Sequence, residues 1–289
     1  RLGGCLRKAV IIGYERRPTY VKPKDASTVI LLRRRPNAVK GGIEVLMVLR
    51  HPGSRFVADA YVYPGGAIDE EDCAPAMEVL CRGMTREKAV GLMDDIPPEK
   101  ALGAWVAGIR ETFEEVGILL AYIKDGGLIT LSDPKEAERF SNYRDALGKG
   151  ADDFRSMLER EGLTLAADRL HYFSHWVTPE PLPIRYDVRF FVAEAPTGQE
   201  ALHDGHELVG HLWVTPQEAL DAYHRGDFNL VLPTIMTLKE LCAFKTVEDV
   251  ILATKGKGIP RILTKMERKG GRNVEIMPDG SVFAPSPCK

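Results

Sequence analysis

The chain has 289 residues, with 39 Lys plus Arg against 41 Asp plus Glu and a formal net charge of −2. Such a length suits one large domain or two small ones. The near-neutral balance excludes a global electrostatic pull toward nucleic acid or an anionic membrane, so any phosphate-bearing ligand needs local positive charge or a metal.

Five scattered cysteines (Cys5, Cys73, Cys81, Cys242, Cys288) show no zinc-ligand spacing. They fit no disulfide framework in a chain this long, which suits a reducing, cytoplasmic setting. No apolar run approaches the roughly 18 residues of a membrane helix. Ala9–Gly13 is too short for a signal-peptide core, and Ser286-Pro287-Cys288-Lys289 is not a peroxisomal address.

In chain order, residues 1–25 read as an N-terminal extension of unassigned role. Ser27–Leu32, rich in β-branched and aliphatic residues, predicts a strand, and a turn around Pro36–Gly42 leads to a second at Ile43–Leu49. Ala60–Tyr63 predicts a third, running into Pro64-Gly65-Gly66. Residues 73–102 read as an insertion of short helices, with Thr85 as a cap and Pro97-Pro98 as a break. Pro98–Val116 predicts the main helix, its apolar residues at Leu102, Val106, Ile109, Phe113 and Val116 forming one stripe, and Gly117 is its left-handed C-cap. Ile118–Ile123 reads as a strand or extended exit, and Asp133-Pro134-Lys135-Glu136 opens another helix. Tyr172–Val177, Tyr186–Ala195 and Leu208–Val214 predict strands. Thr215-Pro216-Gln217-Glu218 is a capping box opening Gln217–Tyr223. Helical periodicity returns in Thr234–Ala243 and Val247–Ala253, and one reading of the tail is a hairpin turning at Lys269-Gly270-Gly271. Strand groups separated by helices predict a mixed α/β or α+β sandwich.

On the main helix, a step of 100° per residue from Val106 puts Arg110, Glu114, Glu111 and Glu115 near about 40°, 80°, 140° and 180°. One face can anchor in a core while three carboxylates share an arc on the other. Like charges at these spacings repel by a few tenths of a kcal/mol when solvated. Around a hard divalent cation, which prefers oxygen ligands, the same crowding becomes favourable.

The segment Arg110-Glu111-Thr112-Phe113-Glu114-Glu115-Val116-Gly117-Ile118 resembles the second half of the Nudix box, Arg-Glu-x-x-Glu-Glu-x-Gly followed by an aliphatic residue. A chance match somewhere in the chain has odds of roughly one in a few thousand. The first half of that box is a Gly followed after five residues by a Glu; here Gly66 is followed after five residues by Asp72, a shorter acid. Between Asp72 and Arg110 stand 37 residues where the family pattern has seven, an insertion similar to the coenzyme A diphosphatase branch of animal peroxisomes and its bacterial relatives.

Upstream, Arg50, Arg55, Asp59 and Tyr63-Pro64-Gly65-Gly66 reproduce the spacing of the pattern carried by Nudix enzymes acting on coenzyme A. Asp59 stands for its Gly, Tyr63 for its Phe and His51 for a usual Ser or Ala. Trp176-Val177-Thr178-Pro179 and Arg185-Tyr186-Asp187-Val188-Arg189-Phe190-Phe191 are also similar to that branch. Arg185 and Arg189 suit phosphate binding, although the same alternation suits a surface salt-bridge ladder. Glu207, six residues before Trp213, stands where many Nudix enzymes bring a loop glutamate to the metal cluster. His203, His206 and His211 read as surface residues.

The resemblance implies a Nudix domain over 26–255, with 73–102 as a helical insertion and 256–289 as a tail. Its mixed sheet would be sandwiched between helices, with extra C-terminal helices. It implies Mg²⁺, with Mn²⁺ as a substitute, held by Gly66, Glu111, Glu114 and Glu115. Arg110 would orient those carboxylates, and Glu111 or Glu207 would be the base. Arg50, Arg55, Tyr63, Arg185 and Arg189 would bind the substrate. The expected substrate is a small nucleotide, coenzyme A or acyl-CoA first, with ADP-ribose, NADH or capped RNA as alternatives. Neither a nucleic-acid partner nor a membrane is expected, and a homodimer is common in the family. A non-catalytic nucleotide sensor is the remaining alternative, argued against by the three glutamates.

Overall fold

The computed structural model describes residues 21–36, 42–93, 95–180 and 182–284. The strands are β1 (Lys24–Arg34), β2 (Ile43–Arg50), β3 (Tyr61–Val62), β4 (Gly65–Ala67), β5 (Ala121–Tyr122), β6 (Thr164–Leu165), β7 (His171–Val177), β8 (Tyr186–Glu194), β9 (Leu208–Val214), β10 (Arg261–Leu263), β11 (Lys265–Lys269), β12 (Arg272–Ile276) and β13 (Val282–Phe283). The helices are α1 (Pro75–Glu78), α2 (Arg86–Leu92), α3 (Pro98–Val116), α4 (Pro134–Gly148), α5 (Phe154–Glu161), α6 (Pro216–Arg225), α7 (Leu232–Leu241) and α8 (Val247–Thr254). The predicted turn after Pro36 and the C-terminal tetrapeptide lie outside the described residues, as do residues 1–20.

Eight strands form the central sheet, in the order β10-β7-β8-β1-β2-β3, with β4 on β1 and β9 on β2. Strands β1 and β8 run parallel, as do β10 and β7, and the remaining pairs are antiparallel. Helices cover both faces. Val29, Leu31, Leu46, Val48 and Phe191 pack with Trp105, Ile109 and Phe113 of α3. Ile30, Leu32, Val45, Met47 and Val192 pack with Leu220, Ile235, Leu238 and Val250 of α6–α8. Double coverage explains why β1 is apolar without alternation, and each such side chain removed from water contributes about 1.5–3 kcal/mol. The expected α+β sandwich, a mixed sheet between helices, is the observed architecture.

Local signals account for the helix ends. Thr215 accepts from Glu218 N while the Glu218 carboxylate accepts from Thr215 N, completing the capping box. Asp133 caps α4 through Lys135 N and Glu136 N. Gly117 closes α3 at φ 71°, where a side chain would be strained. Of Ile118–Ile123 only Ala121–Tyr122 pairs, with β6. The helix α5 has no counterpart in the sequence reading; Asp153 caps it and Phe154, Met157 and Leu158 are buried. Gly270 and Gly271 turn the chain between β11 and β12. Among the described residues no helix is long and apolar enough to cross a membrane.

Candidate functional site

Two elements far apart in the chain build the site. The last turns of α3 carry Arg110, Glu111, Glu114 and Glu115, while β4 crosses that helix by pairing Gly65, Gly66 and Ala67 with Thr28, Ser27 and Ala26. A Cβ on Gly66 would stand 2.4 Å from the Glu111 carboxyl and displace it, and one on Gly65 would stand 2.3 Å from Ser27 O, so the backbone approach itself requires glycine at 65. Gly65 N donates to Glu115 Oε2 at 2.9 Å. The helical wheel places Glu115 opposite the apolar stripe, which would face solvent on a one-sided helix; here β4 covers it and it is buried.

Arg110 ties both halves of the motif together. Its Nε and Nη2 donate to the two oxygens of Asp72 at 2.9 and 2.8 Å, a bidentate pair. Nη2 also donates to Ala67 O at 3.0 Å, and Nη1 donates to Glu111 at 2.9 Å and Glu114 at 3.4 Å. The shorter acid at position 72 thus reaches Arg110 in full. Behind the cluster, Arg144 of α4 donates to the carbonyls of Glu114 and Glu115, both at 2.6 Å, satisfying the helix C-terminus.

The guanidinium pairs with three of the four carboxylates gathered here, and their acidities record the imbalance. Burial, opposed by Arg110 and reinforced by Glu114, pushes Glu111 up to about 7. Burial and then the Glu111 charge hold Glu115 well above the carboxylate range. Burial raises Glu114 and Asp72 as well, against the pull of Arg110. An all-oxygen donor set short of positive charge fits a hard divalent cation, and Glu111, Glu114 and Glu115 are its candidate ligands, although as placed here their oxygens do not all lie within 4.8 Å of one another.

Glu111 and Glu115 open into a cavity of about 420 Å³ that Arg50, Tyr63, Gly65, Gly66 and Glu207 also line. The Glu207 loop is fixed by Asp204, which accepts from the backbone N–H groups of His206, Glu207 and Leu208, and by His51 N donating to Glu207 O. The Arg50 Nε is buried with no hydrogen-bond partner among the described residues, a donor left for a ligand. Tyr63 contributes its ring to the wall, while its hydroxyl meets Thr237 Oγ1 at 3.1 Å rather than the cavity. Asp59 sits at φ 55°, a left-handed conformation that explains the glycine of the resembled pattern and that Asp tolerates better than most residues.

Three predicted substrate residues stand elsewhere. Arg55 is exposed on the loop after β2 and does not line the cavity. Arg185 is buried, donating to Thr178 O and Val21 O. Arg189 is buried on the sheet face turned away from the cavity, donating to Asp25 Oδ1 at 2.9 Å and Asp187 O at 3.0 Å. Neither is a surface ladder, because the strand face they share is covered. Around Arg189, His175 faces Asp95 through Nδ1 at 3.0 Å and Asp187 through Nε2, Arg261 binds Asp187, and Lys100 binds Asp25 at 3.0 Å. Although Asp95, His175 and Asp187 lie close enough to share a metal, these cations already satisfy the carboxylates. Burial works against Asp187, yet His175, Arg189 and Arg261 hold it down at about 2.

Sequence reasoning missed the apolar walls Phe56 and Leu182 and missed Thr264 and Glu275 altogether, while Val188 and Phe190 were quoted only as part of a resemblance. Trp176, quoted only as part of a resemblance, is also a wall. The His203 and His211 rings meet Nδ1 to Nδ1 at 2.9 Å, outside the cavity lining.

The family described as NUDT19 Nudix domain matches residues 94–241, half of the chain. The chain belongs to the Nudix family. It is similar to the acyl-coenzyme A diphosphatase NUDT19 of Xenopus laevis, 26% identical over 235 residues that make up 72% of this chain and 62% of that protein. The Gallus gallus protein of the same name is 26% identical over 266 residues, 78% of this chain and 70% of the relative. The chain therefore spans less than two thirds of the length of the Xenopus relative. A crystal structure of a Nudix hydrolase from Alicyclobacillus acidocaldarius superposes with a TM-score of 0.65 at 29% identity, covering 83% of this chain and 98% of that one. The superposition agrees with the mixed-sheet sandwich.

Proposed function

We propose that this chain is a magnesium-dependent diphosphatase that cleaves coenzyme A or acyl-CoA to 3′,5′-ADP and the (acyl-)phosphopantetheine. The observation that carries the reading is the convergence of Glu111, Glu115, Glu207, Arg50 and the Gly65–Gly66 strand on one cavity. The similarity to acyl-coenzyme A diphosphatases supports the choice of substrate. When bound, the divalent cation supplies Lewis-acid charge compensation at the diphosphate and lowers the pKa of a water. Asp72 and Arg110 hold Glu111 and Glu114 in register, and Gly65 N fixes Glu115. Arg50 offers a donor to a phosphate oxygen. Glu111 and Glu207, facing the same cavity, are the carboxylates positioned to take the proton of the attacking water. Burial among apolar walls strengthens each of these interactions.

The test is a panel of coenzyme A, acyl-CoA, ADP-ribose, NADH and capped RNA, assayed with and without Mg²⁺ or Mn²⁺ and read by product identity. Release of 3′,5′-ADP from coenzyme A only when metal is added is the expected result. Absence of metal-dependent turnover on every member overturns the activity, and faster turnover of another member reassigns the substrate.

A further inference from the structure

The cavity has two chemically different ends. Its floor is one face of the sheet: Trp176 of β7 lies beside Val188 of β8, Val188 beside Ala26 of β1, and Ala26 beside Ala67 of β4. At the β4 edge stand Glu111 and Glu115. At the opposite edge β10 pairs with β7, Leu263 beside Val177, and the next residue, Thr264, lines the cavity together with Glu275 of β12. From β4 to β10 is four strand spacings, about 19 Å. A diphosphate held at the carboxylate end does not bridge that span, and neither does a diphosphate carrying a single ribose.

Thr264 is buried, and its hydroxyl donates to Glu275 Oε2 at 2.7 Å. No other hydrogen bond reaches this carboxyl group among the described residues. Its second oxygen therefore retains accepting capacity beside walls made of Trp176, Leu182, Val188 and Phe190. A half-buried acceptor next to apolar walls gains most from a ligand donor, which replaces water lost when the cavity fills.

We propose that Glu275, oriented by Thr264, is a specificity-determining residue that accepts a hydrogen bond from a neutral N–H or O–H donor on the substrate arm lying beyond the diphosphate. The assignment rests on the diphosphatase reading of the opposite end. It selects an extended arm bearing amides or hydroxyls over a short one. The C-terminal segment, joined to the sheet through β10, thereby sets specificity for chemistry performed at α3.

The experiment combines calorimetric titration with pantetheine, which carries the amide-bearing arm and no phosphate, with steady-state kinetics on coenzyme A and ADP-ribose. Glu275→Met removes the acceptor at similar volume. It weakens pantetheine binding and raises KM for coenzyme A by about tenfold, the scale of one hydrogen bond to a charged acceptor, while kcat and the KM for ADP-ribose stay within about twofold. Glu275→Gln keeps an acceptor oxygen and stays within about threefold of the wild type. Thr264→Val, which removes the orienting hydroxyl, raises KM by about threefold and serves as the test if the Met variant does not fold. Wild-type pantetheine affinity and KM in Glu275→Met overturn the proposal, as does a loss confined to kcat. Should the wild type hydrolyse no diphosphate yet bind pantetheine in a Glu275-dependent way, the diphosphatase reading fails and the Glu275 assignment stands.

Discussion

The two ends of α3 each hold a cluster of carboxylates, and the clusters differ in how their charge is balanced. At the first turn Lys100 joins a group in which Asp25, Asp95 and Asp187 meet Lys100, Arg189 and Arg261, with His175 between two of the acids. At the last turns Arg110 alone pairs with Asp72, Glu111 and Glu114, and Glu115 beside them is held by Gly65 N. In the first group Asp187 is pulled down to about 2, and in the second every carboxyl group is pushed up. Counting acids would make both of them metal sites. Counting compensation separates them: the balanced cluster holds the insertion, the sheet and the C-terminal segment together, and the unbalanced one is the proposed cation site.

The sharpest way to break this contrast is Glu115→Gln. If the unbalanced cluster is built for a cation, the substitution lowers metal-dependent hydrolysis by roughly 10³-fold, equivalent to several kcal/mol of lost stabilisation. Without metal it leaves the melting temperature unchanged or higher, since it relieves a buried repulsion. A melting temperature that falls with activity intact would place Glu115 among the structural groups.

The complementary change is Asp187→Asn. It removes the acid that binds His175 and Arg261 and one of the acids around the fully buried Arg189, and costs about 3 kcal/mol of stability, as expected for breaking a buried pair. The kcat of the folded enzyme stays unchanged. Urea unfolding and kinetics on the same preparation decide it, and a kcat loss without a stability loss would move this cluster into the active site.

The smallest effect is the pH profile of the metal-free protein, where the two clusters act in opposite senses. Asp187 titrates at about 2 when folded, below its ordinary 3.8, so its stabilisation is present above pH 3.8 and is lost as pH falls toward 2. Glu111 titrates at about 7, above its ordinary 4.5, so stability declines as pH rises from 4.5 to 7. Thermal unfolding across this range shows a maximum between the two limbs. Mg²⁺ raises the melting temperature chiefly above pH 7, where the carboxylates are ionised. Equal stabilisation by Mg²⁺ at pH 5 and pH 8 would contradict the assignment.

Much of the fold was legible because its signals are local. Pro98 at the start and Gly117 at the end bound α3 as predicted, Leu208–Val214 is a strand with the expected limits, and the Thr215 capping box opens α6. Gly66, Arg110, Glu111 and Glu115 could be read together because spacing on one helix and one tight strand determines their relation. Glu207 and Arg50 came from resemblance, and both line the cavity. The remainder depended on packing. Arg185 and Arg189 were read as substrate binders or as a surface ladder, whereas both are buried, Arg185 against the carbonyls of Thr178 and Val21 and Arg189 against Asp25 and Asp95. Glu275 lies in a hairpin whose sequence carries no catalytic pattern, and only the parallel pairing of β10 with β7 brings it to the cavity.

By itself the sequence determined which residues share a helix face and that three like charges are crowded there. Periodicity and chain connectivity are enough for that, since both act over a few residues. The tertiary structure decided which face of β8 is inside and what closes the far end of the cavity. A strand's inward side is set by what packs on it, and that partner can come from any distance along the chain.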